Sequence, residues 1–199
     1  MKISQLVLFA LLLTPSCIEF LADDDYSREL TASNRKSIAA FNLNDTGKEH
    51  PVSKAEDITF QETDAEKLKS QLGLNKKTWV YIWGPWCSPC RKKLPTIAQI
   101  HRDHPDINIL LVSDNYNLPE IKKLLYENAL FFQTYLLDYR RYGNKIYEKE
   151  RKLWDELALG GVYPEGVPQN YLFNEKGQLF YSVSGPIPDE TMQAFFGLK

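Results

Sequence analysis

Two cysteines three residues apart, Cys87 and Cys90, are the side chains best suited to chemistry in this chain. They follow the hydrophobic run at residues 78–83 and stand where a helix is predicted to begin. The unpaired amides and the positive end of a helix N-terminus stabilise a thiolate, which is the attacking form of cysteine. Cys87 can then attack a disulfide, and Cys90, one turn behind it, can resolve the mixed disulfide. The spacing predicts an exposed, nucleophilic Cys87 and a more buried Cys90.

A structural disulfide, or half of a zinc site, is the alternative interpretation of this pair. Zinc needs two further ligands, and the sequence contains no second Cys-x-x-Cys. A helix that starts at Cys90 would carry His101 and His104 about 15 Å away, at ~1.5 Å per residue. Three cysteines are also too few for a disulfide framework. We therefore predict a working redox disulfide, with no metal and no other cofactor.

Predicted strands and helices alternate around the pair. Strands are predicted at residues 58–60, 78–83 and 107–112, with a short extended segment at 131–137 and a hairpin formed by 169–173 and 178–183. Helices are predicted at 63–72, from Cys90 to about 103, and at 119–128, 138–159 and 189–196. Thr63 should cap the first of them, and Ile146, Leu153 and Trp154 should face inward from the charged helix at 138–159. This order indicates an α/β fold in which helices flank a central mixed β-sheet.

The first residues have the order of a secretory signal. Lys2 precedes an unbroken apolar run at 6–13, and Pro15 and small residues follow. The segment that ends in Cys17 resembles a bacterial lipoprotein box, which predicts that residues 1–16 are removed and that Cys17 carries the lipid. Ordinary cleavage, for instance after Ala22, and an uncleaved anchor are the alternatives. Residues 17–57 predict a polar tether and an irregular segment, followed by a domain at 58–199.

The size and the charge of the chain limit which classes of function remain. The 199 residues, 43% of them hydrophobic, are enough for one domain with its own core. A net charge of −2 offers no electrostatic footprint for nucleic acid. No run reaches the roughly 20 apolar residues that a spanning helix needs. We therefore predict no nucleic-acid partner, and membrane association through the lipid anchor.

Four features together resemble a known family. The sequence Trp-Cys-Ser-Pro-Cys at residues 86–90 resembles the active site of the thioredoxin superfamily, and in particular of the TlpA/ResA-like extracytoplasmic thiol–disulfide oxidoreductases. Pro95 stands where that family kinks its active-site helix. Gly166-Val167-Pro168 is similar to the family's cis-proline loop, and residues 172–177 with Gly185 to its closing hairpin. The resemblance covers about residues 58–199 and implies a thioredoxin-like sandwich, with the helix at 138–159 inserted before the cis-proline loop.

The resemblance also implies roles for residues around the cysteines. Trp86, Val167 and Pro168 correspond to the substrate-binding surface. Thioredoxins carry a buried acid six residues before the first cysteine, where this chain has Tyr81. Glu165 or a water molecule is the predicted proton relay in its place. The residue after the proline is Gln169 rather than the usual threonine, so substrate contacts should differ.

The function implied by the family is thiol–disulfide exchange in the cell envelope. Ser88 and Pro89, between the cysteines, include the proline of reducing members and lack the histidine of strongly oxidising ones. We therefore expect a reductase of protein disulfides, such as those of apocytochrome c or other envelope proteins, that is kept reduced by a membrane thiol electron donor. A disulfide-forming oxidase, and a lipid-anchored binding module without turnover, are the alternatives.

Overall fold

The structure is a computed structural model, and it describes residues 35–143, 145 and 147–197. One seven-stranded sheet runs in the order β1-β2-β5-β4-β3-β6-β7. In chain order, these strands are Ile38–Ala39, Phe60–Thr63, Lys77–Trp83, Ile107–Ser113, Thr134–Leu137, Gln169–Phe173 and Leu179–Ser184. The five neighbouring strands β1-β2-β5-β4-β3 pair in parallel. Strand β6 pairs antiparallel with both β3 and β7. The predicted mixed sheet is therefore confirmed.

Helices lie on both faces of the sheet. Helices α1 to α6 span Ala65–Ser70, Ser88–Asp103, Leu118–Glu127, Tyr139–Tyr142, Glu148–Leu157 and Asp189–Phe196. Two short 3-10 turns, Leu43–Asp45 and Ala55–Asp57, precede β2. The predicted α/β sandwich is confirmed, and the closing helix begins and ends at the predicted residues.

Side-chain alternation along the central strands produces two separate core layers. In β3, Trp79, Tyr81 and Trp83 face α2, α3 and α6, whereas Val80 and Ile82 face α1 and α5. Both β3 and β4 are buried along almost their whole length. Strands that are covered on both faces favour such continuous β-branched and aromatic runs. The end of β3 is thereby held rigidly where the cysteines follow.

The cap of the first helix lies one residue later than predicted. This cap is Asp64, whose carboxylate accepts a hydrogen bond from the backbone N–H of Lys67 at 2.9 Å. Thr63 instead ends β2 and is buried. The prediction of Thr63 as the cap was therefore wrong, because its place in the sheet outweighs its capping propensity.

The predicted single helix at 138–159 is two helices. Asp138 caps α4, and Gly143 ends it in a conformation with φ +76°, which glycine adopts without steric cost. Helix α5 then packs Leu153 and Trp154 into the core, as predicted. Ile146 lies outside the described residues.

The segment before residue 58 contributes more to the fold than the sequence predicts. Ile38–Ala39 is an edge strand that pairs in parallel with β2. Lys122 of α3 donates hydrogen bonds to Ser37 Oγ and to the Glu56 carbonyl, both at 2.8 Å. The predicted signal at 1–16 and the lipidation site Cys17 lie outside the described residues. Within the described part of the chain, no helix has the length and apolarity to span a bilayer.

Candidate active site

The two cysteines form a disulfide at the start of α2. Residues 84–87, which we call the active-site turn, connect β3 to this helix, and the Cys87 N–H donates to the Gly84 carbonyl at 3.1 Å. Cys87 is the cap of α2, and its Sγ accepts from the Cys90 N–H at 3.2 Å. Pro89 occupies the first turn, where its missing N–H costs nothing. The predicted disulfide-capable pair at a helix N-terminus is present.

Cys87 is less accessible than its predicted role requires. Its exposed fraction is 4% and that of Cys90 is 0%. The order is as predicted, but the prediction of an exposed Cys87 was wrong for the disulfide form. The cause is the loop before β6, because the Cys87 Sγ lies 3.6 Å from the carbonyl oxygen of Val167. An incoming sulfur must therefore approach along the edge of that loop.

The proline loop lies across from the cysteines, as predicted. The Val167–Pro168 peptide bond is cis. Strand β6 starts directly after it and pairs Gln169 with Ile82 of β3, which fixes the loop beside the active-site turn. The Pro168 carbonyl accepts a hydrogen bond from the N–H of Gly185 at 2.8 Å. Two strands of the sheet thus hold the surface that carries Val167 and Pro168.

Trp86 lies on the surface beside Cys87, with 45% of its surface exposed, whereas Trp83 is buried. Gly84 is required beneath it, because a Cβ at that position would lie 2.5 Å from Trp86 Nε1 and 2.7 Å from Asp114 Oδ1. An exposed aromatic next to a reactive cysteine offers apolar contact area to a docking protein.

A groove of about 260 Å³ opens beside the disulfide. Its lining combines apolar side chains with two lysines: Tyr81, Pro89, Lys92, Lys93, Pro168, Asn170, Gly185, Pro186 and Ile187. Asn170 holds one wall through its amide, which donates to the Gly185 carbonyl at 2.8 Å. Asn170 and Ile187 were missed from the sequence, because only the pairing of β6 with β3 and β7 brings them to this groove.

The position of the thioredoxin acid is occupied by a neutral group. The Tyr81 hydroxyl donates to the Cys90 carbonyl at 3.3 Å, and burial raises the pKa of Tyr81 well above its usual range. Tyr81 therefore does not accept a proton near neutral pH.

Glu165 pairs with Arg151 at the surface. Its side chain is 80% exposed, and its carboxylate pairs with Arg151 at 3.6 Å. The carboxylate is thus solvated and ion-paired, and its role as the proton relay stays a prediction. Among the described residues, no group of three His, Cys, Asp or Glu side chains could hold a metal ion.

Comparison with known proteins gives a consistent set of relatives. The chain is 30% identical over 145 residues to the probable thiol:disulfide interchange protein DsbE-2 of Pasteurella multocida, covering 69% of this chain and 66% of that protein. It is 24% identical over 123 residues to the sporulation thiol-disulfide oxidoreductase A of Bacillus subtilis, covering 59% and 65%. The chain thus spans just under two thirds of the length of these relatives. No protein-family model matches it.

A solved structure of a thioredoxin-family thiol:disulfide interchange protein from Chlorobium tepidum is similar to 63% of the chain, with 16% identity, a TM-score of 0.49 and 81% of that protein covered. Both sequence relatives are named for thiol–disulfide exchange, which is the reaction that a Cys87–Cys90 disulfide would undergo. In sequence, the chain is thus similar to bacterial thiol–disulfide oxidoreductases.

Proposed function

We propose that this protein is a thiol–disulfide oxidoreductase that reduces disulfides of other proteins. The observation that carries the proposal is the Cys87–Cys90 disulfide at the N-terminus of α2, opposite the Pro168 loop. No acidic side chain stands in the first turn of α2, and Arg91, Lys92 and Lys93 follow the pair. Helix dipole and positive charge both favour a thiolate at Cys87.

The reaction proceeds by two exchanges of sulfur partners. In the reduced protein, the Cys87 thiolate attacks one sulfur of a substrate disulfide, and the other substrate sulfur leaves as a thiolate that takes up a proton. Cys90 then loses its proton and attacks the Cys87 sulfur, which releases the second substrate thiol. Two electrons have passed to the substrate, and the Cys87–Cys90 disulfide remains. A thiol donor restores the dithiol by the same exchange in reverse.

The direction of electron flow is tested by the redox potential. Thioredoxin-like proteins span about −270 to about −120 mV, and the Ser88-Pro89 dipeptide supports the reducing end of this range. We expect equilibration with glutathione buffers, followed by alkylation of free thiols, to give a potential below about −150 mV. A higher value would favour the alternative, a disulfide-forming oxidase.

The cellular setting is a separate part of the proposal. The apolar run at 6–13 and the lipoprotein-like segment before Cys17 support export and a lipid anchor in the cell envelope. Apocytochrome c and other envelope proteins are the proposed substrates, with a membrane thiol protein as electron donor.

Replacing Cys17 with serine tests the anchor. In a bacterial host, the wild-type chain should incorporate labelled fatty acid and sediment with membranes, and the Cys17→Ser chain should do neither. A wild-type chain that takes up no label would contradict lipidation. Insulin reduction by the detergent-solubilised Cys17→Ser chain should equal that of the wild type, since Cys17 takes no part in the exchange.

A further inference from the structure

A second group of titratable side chains lies beneath the active-site turn, on the face of the sheet opposite α2. Asp114 directly follows β4, and its N–H donates to the Trp83 carbonyl at 2.9 Å. Its Oδ1 lies 2.7 Å from the position that a Cβ on Gly84 would take. The Asp114 carboxyl group therefore lies against the turn that carries Cys87.

Helix α5 brings two more charged residues to Asp114. Glu150 and Lys149 are buried, with exposed fractions of 1% and 3%, as is Asp114 with 1%. The Lys149 ammonium donates to the backbone carbonyl of Asp114 at 2.6 Å. Burial raises the pKa of the Asp114 carboxyl well above its usual range. The charge of Lys149 opposes this shift, and the neighbouring Glu150 carboxyl adds to it.

The charges of this cluster balance only if one proton is retained. Two carboxylates and one ammonium would leave a net negative charge in a site closed to solvent, which is costly. As carboxylates, Asp114 and Glu150 could only accept hydrogen bonds. Within the described part of the chain, no donor reaches any of their four oxygens. A single proton between them removes the excess charge and supplies a donor, as in other close carboxyl pairs.

We propose that Asp114 and Glu150 share one proton and act as a positioning pair for the active-site turn, and that losing this proton makes Cys87 harder to ionise. The inference rests on the proposed function, because it matters only if Cys87 reacts as a thiolate. A second negative charge beneath the turn disfavours a thiolate above it.

Two tyrosines also face the pair, Tyr163 in the loop before β6 and Tyr171 of β6. The pKa of Tyr163 is raised to about 12, first by burial, with the Glu150 charge contributing. Burial also raises the pKa of Tyr171 well above its usual range. Loss of the shared proton is thus the change in charge that we expect within this cluster.

Infrared spectroscopy of the purified full chain tests the shared proton. At neutral pH the wild type should show the carbonyl-stretch band of a protonated carboxyl, and the band should shift when the disulfide is reduced. Asp114→Asn and Glu150→Gln should each lose the band, because the remaining carboxylate is then balanced by Lys149. The control Glu148→Gln, on the same helix with its side chain 70% exposed, should keep it. A wild-type spectrum without the band overturns the proposal, whether or not the variants fold.

The pH dependence of Cys87 alkylation by iodoacetamide tests the link to the active site. In the reduced wild type and in Glu148→Gln, the rate should follow two ionisations, that of the thiol and that of the pair. In Glu150→Gln it should follow one, and the rate should reach its plateau at a lower pH than in the wild type, by about half a pH unit or more. Identical pH profiles for the wild type and Glu150→Gln would mean that the pair has only a structural role, which contradicts the proposal. Both measurements are independent of turnover, whereas loss of insulin reduction by the wild type would instead refute the proposed function.

Discussion

The Cys87→Ser chain is expected to reduce insulin no faster than dithiothreitol alone, whereas the wild type accelerates the reaction. A serine hydroxyl in place of the thiol stays protonated at neutral pH and cannot attack a disulfide sulfur. Precipitation of the insulin B chain measures the rate directly. A Cys87→Ser chain that keeps wild-type acceleration would mean that Cys87 is not the nucleophile.

The Cys90→Ser chain is expected to lose turnover in a different way. Its Cys87 can still attack, but no second thiol is present to release the substrate, so a one-to-one mixed disulfide should accumulate. Non-reducing electrophoresis and mass spectrometry should find the adduct on Cys87. Accumulation of the adduct on the Cys87→Ser chain instead would reverse the two roles.

These two variants are matched controls for each other. Each removes the same disulfide and retains one cysteine of the pair, so any loss of stability from the missing disulfide is common to both. Thermal unfolding of both, compared with the reduced wild type, shows whether the fold survives. A difference in trapping between two equally folded chains then reports chemistry alone. The burial of Cys90 at 0% exposure, against 4% for Cys87, is the structural reason for expecting Cys87 to attack first.

Much of the fold could be predicted because local signals agreed with one another. The aromatic and β-branched run of β3, the Pro119 that opens α3, and the turn between β6 and β7 each have a physical cause within a few residues. The cysteine spacing and the Gly166-Val167-Pro168 loop could likewise be recognised from a few neighbouring residues. Such features identified both the α/β sandwich and the pair of sulfurs.

Features set by distant contacts could not be predicted in the same way. The burial of Cys87 comes from the Val167 carbonyl, 80 residues away along the chain. A charged helix at 148–157 is usually solvated, so nothing local indicated that Glu150 and Lys149 are buried against Asp114. Conversely, Glu165 stands close to Pro168 in sequence, and yet its side chain points to Arg151 and solvent.

The burial of Cys87 also bears on substrate choice. With the Val167 carbonyl 3.6 Å from its sulfur, the loop limits direct approach to Cys87. The groove next to Pro168 and Ile187 is mostly apolar and carries Lys92 and Lys93 at its edge. A substrate segment with apolar and acidic residues beside its cysteine is therefore the best chemical match.

The ionisation of Cys87 is the most direct measurement, because the attack on the substrate disulfide begins with its thiolate. The reduced chain should be titrated by following the rate of iodoacetamide modification at Cys87, with the modified residue identified by mass spectrometry. We expect the apparent pKa to lie well below that of a free cysteine, since Cys87 caps α2 and is followed by three cationic residues. A thiol that titrates like free cysteine, or that stays unreactive in the folded reduced protein, would contradict the proposed chemistry.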